Sequence, residues 1–343
     1  MTLPTAKRHK PNTSTPSLPT PAPPSSLGSA LKNKASMDTA PGPDYERGIE
    51  YWDNVEASVD GVLGGFGTGP VPHIEQLSSR LLLLSLLPSL SPFPSPLTPA
   101  PLPPLPAHRR TALDVGAGIG RVTRTVLAPL FDDVVLVEPV GKFVGEAYRS
   151  ASDGEWRDLP LPVHALPPKP VESEDNALEI EAYAEAHRQA NEAKAGRGKR
   201  VRFIQGGLQM LDPRSPGRGG VELGVVGQKR GGGEGLDGEE VVYDVIWCQW
   251  CHMNHADLVS FLQRSRAALR SPSDSFIFVK ENCCDEGPNG EPQEFMDEED
   301  SSLTRSSGKW VEAFRDAGLR VVKEEVQEGM PEELFVVKTW ALQ

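Results

Sequence analysis

The chain has 343 residues, a formal net charge of −13, 38% apolar residues, 33 Gly and 33 Pro. This length allows one large or two ordinary domains, and the Gly and Pro content assigns part of it to something other than core. The charge speaks against nucleic acid as the main partner and suits a cationic peptide.

Residues 1–43 are rich in Pro, Ser, Thr and Lys without periodicity and read as a disordered tail. Such a polar start is not a signal peptide. The leucine run Leu81 to Leu87 is broken by Ser85 and ended by Pro88, too short for the roughly 20 apolar residues that cross a bilayer. A soluble intracellular protein is expected, in the cytoplasm. Lys7-Arg8-His9-Lys10 reads as a solvated cluster, with a nuclear signal as the alternative.

From Asp44 the pattern changes. Tyr45 to Val55 predicts a helix capped by Asp44, with Tyr51 and Trp52 as apolar anchors. Val59 to Gly67 is a glycine-rich loop able to fold over a ligand, and Ser78-Ser79-Arg80 before the leucines predicts a helix start. Low-complexity insertions are expected near 88–107, 155–199 and 213–239, the second holding an exposed helical pattern over Glu172 to Lys194. Between them lie apolar strands ending at Asp114, Glu138, Gln205 and Trp247, then a helix from Asp257 to Leu269. A strand from Ser275 to Val279, a helix from Gly308 to Ala317 and a hairpin of Leu319–Val322 with Phe335–Trp340 follow. This alternation predicts one domain over 44–343: an α/β fold with an open, mostly parallel sheet and helices on both faces.

The chemistry centres on Leu113-Asp114-Val115-Gly116-Ala117-Gly118-Ile119-Gly120-Arg121, a strand, a glycine turn and a helix start. Gly116, Gly118 and Gly120 let the backbone approach a ligand, and the helix turns its free N–H groups toward it. Glu138 ends the next strand, where nucleotide-binding sheets place an acid on ribose hydroxyls. Arg121 suits a ligand with a free carboxylate, favouring S-adenosylmethionine over a dinucleotide. Other strand ends bring Gln209, Gln249-Trp250 and Lys280-Glu281-Asn282 to the same edge. An acidic loop, Asp297 to Ser302, follows on the same side and reads either as a solvated face or as a site for a lysine or a terminal ammonium. The four cysteines, Cys248, Cys251, Cys283 and Cys284, read as structural thiols with no metal. An extended strand would turn Cys248 and Cys251 to opposite faces.

Taken together, Tyr51-Trp52, Val59 to Gly67, Ser78 to Arg80, Leu113 to Arg121, Gly207-Leu208-Gln209, Tyr243 to Trp250, Asp300-Ser301-Ser302 and Trp340-Ala341-Leu342 resemble the α-N-terminal protein methyltransferases. Those enzymes methylate the amino terminus of proteins beginning X-Pro-Lys. The resemblance implies a Rossmann-like class I methyltransferase with a seven-stranded sheet and a C-terminal antiparallel hairpin. It implies S-adenosyl-L-methionine held by Gly116, Gly118, Arg121, Glu138, Pro139, Val140, Leu208, Gln209 and Gln249. It implies a peptide channel with Trp52 and Phe335, a proline pocket of Trp250 and Leu63, and a lysine site of Asp297, Asp300 and Ser302. Asn282 would bind the first carbonyl, and Asp300 would also face the amine. The implied partners are X-Pro-Lys tails, such as those of ribosomal proteins, met by a monomer with no nucleic acid or membrane.

Two departures stand out. Glu138 replaces the family's usual Asp. The family's histidine after the Gln-Trp pair falls on His252 if two residues are missing before it, and on Asn254 without a gap, with His255 a third candidate. His252 is the expected base. The rival readings are a small-molecule methyltransferase of the same fold and a catalytically weak module that binds N-termini.

Overall fold

A computed structural model of the chain describes residues 42–91, 108–159, 198–229 and 234–343. The tail up to residue 41, most of the first two expected insertions and the helical pattern of Glu172 to Lys194 lie outside the described residues.

The sheet is built from β1 (Thr111–Val115), β2 (Asp133–Glu138), β3 (Arg200–Gln205), β4 (Val221–Gly227), β5 (Val245–Gln249), β6 (Phe276–Cys284), β9 (Val321–Val326) and β10 (Val336–Leu342), with a side hairpin of β7 (Glu294–Asp297) and β8 (Ser302–Ser306). Its order is β4-β3-β2-β1-β5-β6-β10-β9, and β8 joins the far end of β6. Strands β3, β2, β1, β5 and β6 are mutually parallel, so their carboxyl ends share one edge. β10 runs antiparallel to β6 and to β9, the expected C-terminal hairpin.

Every residue of β1, β2 and β5 is buried, as their continuous apolar runs require of strands covered on both faces. Alternate side chains feed two cores. Leu113, Val115 and Ile246 meet Phe261, Trp310 and Trp340 on one side. Ala112, Leu136 and Trp247 meet Val126, Phe203 and Phe278 on the other. The helices are α1 (Tyr45–Asn54), the single turn α2 (Val59–Val62), α3 (Val71–Leu86), α4 (Ala128–Leu130), α5 (Gly141–Ser152), α6 (His255–Ala267) and α7 (Ser307–Asp316). Asp44, Ser58, Asn254 and Ser306 accept from first-turn N–H groups and so start α1, α2, α6 and α7. Between the glycine turn and α4, Thr123–Leu127 winds as a π-helix.

Several expectations change. Among the described residues seven strands become ten, because β4 and the β7–β8 hairpin add to β3, β2, β1, β5, β6, β10 and β9. β4 lies inside the expected glycine-rich insertion of 213–239 and pairs antiparallel with β3, so backbone bonding overrides its composition. The insertion at 155 starts later, since Trp156 and Leu159 are buried in the core. Pro43 is buried too, so the packed part begins before Asp44. The leucine helix starts at Val71 behind Pro70, and Ser78 lies within it. β6 continues past Val279 to Cys284, and the acidic run is a hairpin turn instead of a free loop.

Candidate active site

On the side of β1 and β2, Gly116, Gly118 and Gly120 all hold positive φ, at 61°, 56° and 75°. Side chains there would be strained. A Cβ on Gly116 would also lie 2.7 Å from Cys251 Sγ, and one on Gly120 2.7 Å from Trp156. At Gly118 the nearest neighbour of a Cβ would be Val62, at 3.9 Å, so the Val59–Gly67 segment lies against the turn. Glu138 reaches back from β2. Its Oε2 accepts from Gly118 N and its Oε1 from Val140 N, both at 2.8 Å. Burial is the largest influence on this carboxyl and pushes it up to about 7, against the two backbone donors. Each carboxylate oxygen keeps a second lone pair for a hydroxyl.

Arg121 follows the turn and is tied to a carboxylate that sequence reasoning missed. Glu75 of α3 is 1% exposed, and its Oε2 lies 2.6 Å from Arg121 Nη1. Glu75 Oε1 accepts from Gln249 Nε2 at 2.7 Å and lies 3.6 Å from Lys280 Nζ. Gln249 Oε1 in turn accepts from Trp247 Nε1. The guanidinium of Arg121 lies over the Trp250 ring, 5.6 Å from its centroid. Lys280 is pushed down to about 8, chiefly by burial. The signal for Glu75 was available in its spacing, since Val71, Glu75, Ser79 and Leu82 repeat on the buried face of one helix.

On the side of β5 and β6 the chain turns sharply. Trp250 has φ 56°, and its N–H donates to Lys280 O. Cys251 N then donates to Glu281 Oε1 at 2.6 Å. This turn ends the extended geometry, so Cys251 folds back beneath Gly116, next to Cys248, and the opposite-face expectation fails. Glu281 is buried, which pushes its carboxyl up to about 8. Cys248, Cys251, Cys283 and Cys284 are all free thiols.

The turn aims His252 at the acidic hairpin. Its Nδ1 is buried with no hydrogen-bond partner. Burial lowers its pKa below the usual histidine range. The charge of Asp300 and a backbone bond to Leu303 oppose that shift, and Arg305 adds to it. The other two candidates are occupied elsewhere. Asn254 caps α6, accepting from Asp257 N, and His255 Nε2 pairs with Asp316 at 3.1 Å. Arg305, fully buried, donates through Nη2 to Met253 O and lies over Trp310.

In the hairpin turn, Asp297 Oδ1 accepts from Glu299 N and Asp300 Oδ1 from Ser302 N, so each aspartate uses one oxygen to shape the loop. Ser301 takes φ 57°, and its Oγ accepts from Asp44 N at 2.7 Å. Helix α1 is thereby pinned beside the acids. Its Tyr45 hydroxyl donates to Asp257 and accepts from Asn254 N. Tyr51 faces the turn, and its hydroxyl is raised by burial and then by Glu299, Asp300 and Asp297.

Trp52 is half-buried and lies edge-on to both Phe143 of α5 and Tyr51, and Tyr51 is the neighbour that feels the acids. Asn282 is half-buried on β6 opposite Val337. Phe335 stands just before β10 at that same end and is 47% exposed. Leu63 and Leu208 are buried, and Ser302 is nearly so. The Leu208 and Gln209 carbonyls accept from Arg264, the Gln209 side chain meets Tyr45, and the Pro139 carbonyl accepts from Gln205. Gln249 donates to Glu75 and accepts from Trp247, which leaves its amide one further N–H and one further lone pair.

This edge of the sheet has a counterpart of known chemistry. A solved S-adenosylmethionine-dependent methyltransferase from Leishmania major aligns with a TM-score of 0.53 at 29% identity, over 87% of this chain and 82% of that one. The fold and the glycine turn therefore define a Rossmann-like class I methyltransferase. Within that class the chain belongs to the AdoMet-dependent proline di-methyltransferase family, whose profile matches residues 42–158 and 233–343. An alpha N-terminal protein methyltransferase 1 of Arabidopsis thaliana is 31% identical over 87% of this chain and 79% of its own length. The Schizosaccharomyces pombe protein of that name is 30% identical over 87% and 95%. An N-terminal Xaa-Pro-Lys N-methyltransferase 1-B of Xenopus laevis is 28% identical over 87% and 94%.

The protein is thus a methyltransferase that uses S-adenosylmethionine. The residues present fit that cofactor. Side chains would clash at Gly116 and Gly120 and be strained at all three glycines, Glu138 keeps lone pairs at the end of β2, and Arg121 and Lys280 together face one carboxylate.

Proposed function

We propose that this protein methylates the α-amino group of proteins beginning Xaa-Pro-Lys after removal of the initiator Met. The observation that carries the reading is a turn of four consecutive acids, pinned to α1 by the Asp44–Ser301 bond, whose Asp300 charge is felt at His252 two residues after Trp250. The names of the relatives and the net charge of −13 support the same substrate class. Bound S-adenosylmethionine supplies an electrophilic methyl group on a sulfonium. Gly116, with Gly118 beside it, and Arg121 hold its methionine end, Glu138 with Pro139 and Val140 its ribose and adenine, and Leu208, Gln209 and Gln249 complete the site.

The acceptor must lose a proton, and a terminal amine with a pKa of about 8 needs only a modest base. His252 is that base. Its lowered pKa keeps the ring neutral at pH 7, and Nδ1 has an unused lone pair. Asp300 faces the amine through the oxygen that the turn does not use, and Asp297 and Ser302 receive the lysine. Asn282 donates to the first carbonyl. Trp250 offers the proline a flat face, with Leu63 behind it. Trp52 and Phe335 line the peptide channel, with Tyr51 beside Trp52. Held in line, the two reactants need little further activation.

Ribosomal proteins with such tails, met by a monomer in the cytoplasm or nucleus, are the substrates this reading expects. No helix among the described residues is long and apolar enough to cross a membrane. The test is mass spectrometry of a Ser-Pro-Lys peptide incubated with the protein and S-adenosylmethionine. Methyl groups confined to the N-terminal fragment, and lost when proline is replaced by alanine, are expected. Indifference to that replacement would point to another substrate class, and no transfer would reject the reading.

A further inference from the structure

We propose that Glu75 is a positioning residue for the cofactor, holding Arg121 in the pose that receives the cofactor's carboxylate. This rests on the reading of Arg121 above. Three observations lead to it. Glu75 is 1% exposed, yet it sits on a helix that contributes none of the strand-edge residues. A buried carboxylate in an apolar helix face is costly unless its partners require it. Its partners are all at the cofactor edge: Arg121 from the glycine turn at 2.6 Å, Gln249 from the end of β5 at 2.7 Å, and Lys280 from β6 at 3.6 Å.

The charges do not balance. Arg121 and Lys280 are two cations against one paired carboxylate. The neighbouring Asp114 is tied to Thr123 Oγ1, and burial pushes its carboxyl up to about 7. One further carboxylate would complete the set, and the methionine end of the cofactor carries one. Glu75 Oε2 approaches Arg121 at Nη1, and a guanidinium carries five N–H donors, so others remain for a second carboxylate. Clamped between Glu75 and the Trp250 ring, the arginine has already lost the rotamer freedom that a free side chain would lose on binding. Helix α3 is also tied to the helix after the turn, since Arg80 Nε donates to Thr125 O at 2.8 Å.

The test is calorimetric titration of the full chain with S-adenosylhomocysteine and with 5′-methylthioadenosine. The second probe keeps the adenosine and thioether but lacks the carboxylate. Glu75→Gln is expected to weaken S-adenosylhomocysteine about tenfold and to leave methylthioadenosine within about twofold of the parent protein. Glu75→Asp, which retains the charge, is expected to recover part of the loss. Because Glu75→Gln strands two buried cations, Glu75→Gln combined with Lys280→Met is measured alongside. It restores the parent charge surplus and should show the same selective loss. Unchanged or tighter S-adenosylhomocysteine binding in the folded variants overturns the proposal, as does equal loss of both probes. Arg121→Met separates the two readings. If it leaves S-adenosylhomocysteine binding unchanged, the role of Arg121 itself is wrong. If it weakens binding while both Glu75 variants do not, only the role of Glu75 is wrong.

Discussion

The two sides of the candidate active site are built in different ways. The cofactor side comes mainly from one contiguous stretch, β1 through the start of α5, where the glycine turn and Glu138 contact each other directly. The acceptor side is gathered from α1, the turn after β5, the end of β6 and the β7–β8 hairpin, segments separated by as many as 257 residues at the Asp44–Ser301 bond. The first depends on local backbone geometry. The second depends on charges and caps that meet only after folding. Substitutions should therefore fail differently on the two sides.

The largest effect is expected at Gly116→Val. A β-branched side chain at φ 61°, with its Cβ 2.7 Å from Cys251 Sγ, cannot be placed without moving the turn. Loss of S-adenosylhomocysteine binding by about a thousandfold is expected in calorimetry. Near-parent affinity would show that the turn is not the cofactor cradle. On the other side, Asp300→Ala should lower kcat/KM for a Ser-Pro-Lys peptide by about a hundredfold, since it strips a partner from a charged substrate group. Cofactor affinity should stay within about threefold. Loss of cofactor binding in that variant would mean that the two sides are one cooperative unit.

A smaller contrast sharpens the assignment of the base. His252→Asn should reduce kcat by about a hundredfold. His255→Asn, which breaks only the pair with Asp316, should change it by less than about twofold. The pH dependence has a definite sign. A base works when neutral, and the pKa of His252 is lowered, so kcat at saturating peptide should hold until pH falls below the ordinary histidine value of about 6.5. Asp300 opposes that shift, so Asp300→Asn should move the acid limb still lower. An acid limb that moves upward, or one unaffected by His252→Asn, would remove His252 from the role.

The cofactor side was the more legible in sequence. Asp133–Glu138 is a strand with the boundaries its apolar run predicted, and the glycine turn sits where its spacing placed it. Each depends on neighbours a few residues away. β4 was missed because its pairing with β3 outweighs a glycine-rich composition, and the ten-strand count follows from that pairing and from the β7–β8 hairpin. That Tyr51 rather than Trp52 feels the acids was not legible, because adjacent helix positions point about 100° apart, and only packing against α5 or the acids distinguishes them.

By itself the sequence determined the periodicities, the turn residues and the caps, and hence an α/β sheet carrying a glycine cradle and a strand-end acid. The tertiary structure alone decided which of His252, Asn254 and His255 faces Asp300. It also decided where Cys251 goes after the left-handed turn at Trp250, and that Glu75 holds Arg121. The physical reason is range. Backbone propensity is written within a few residues, whereas the partner of a buried charge is settled by which distant segments the sheet brings together.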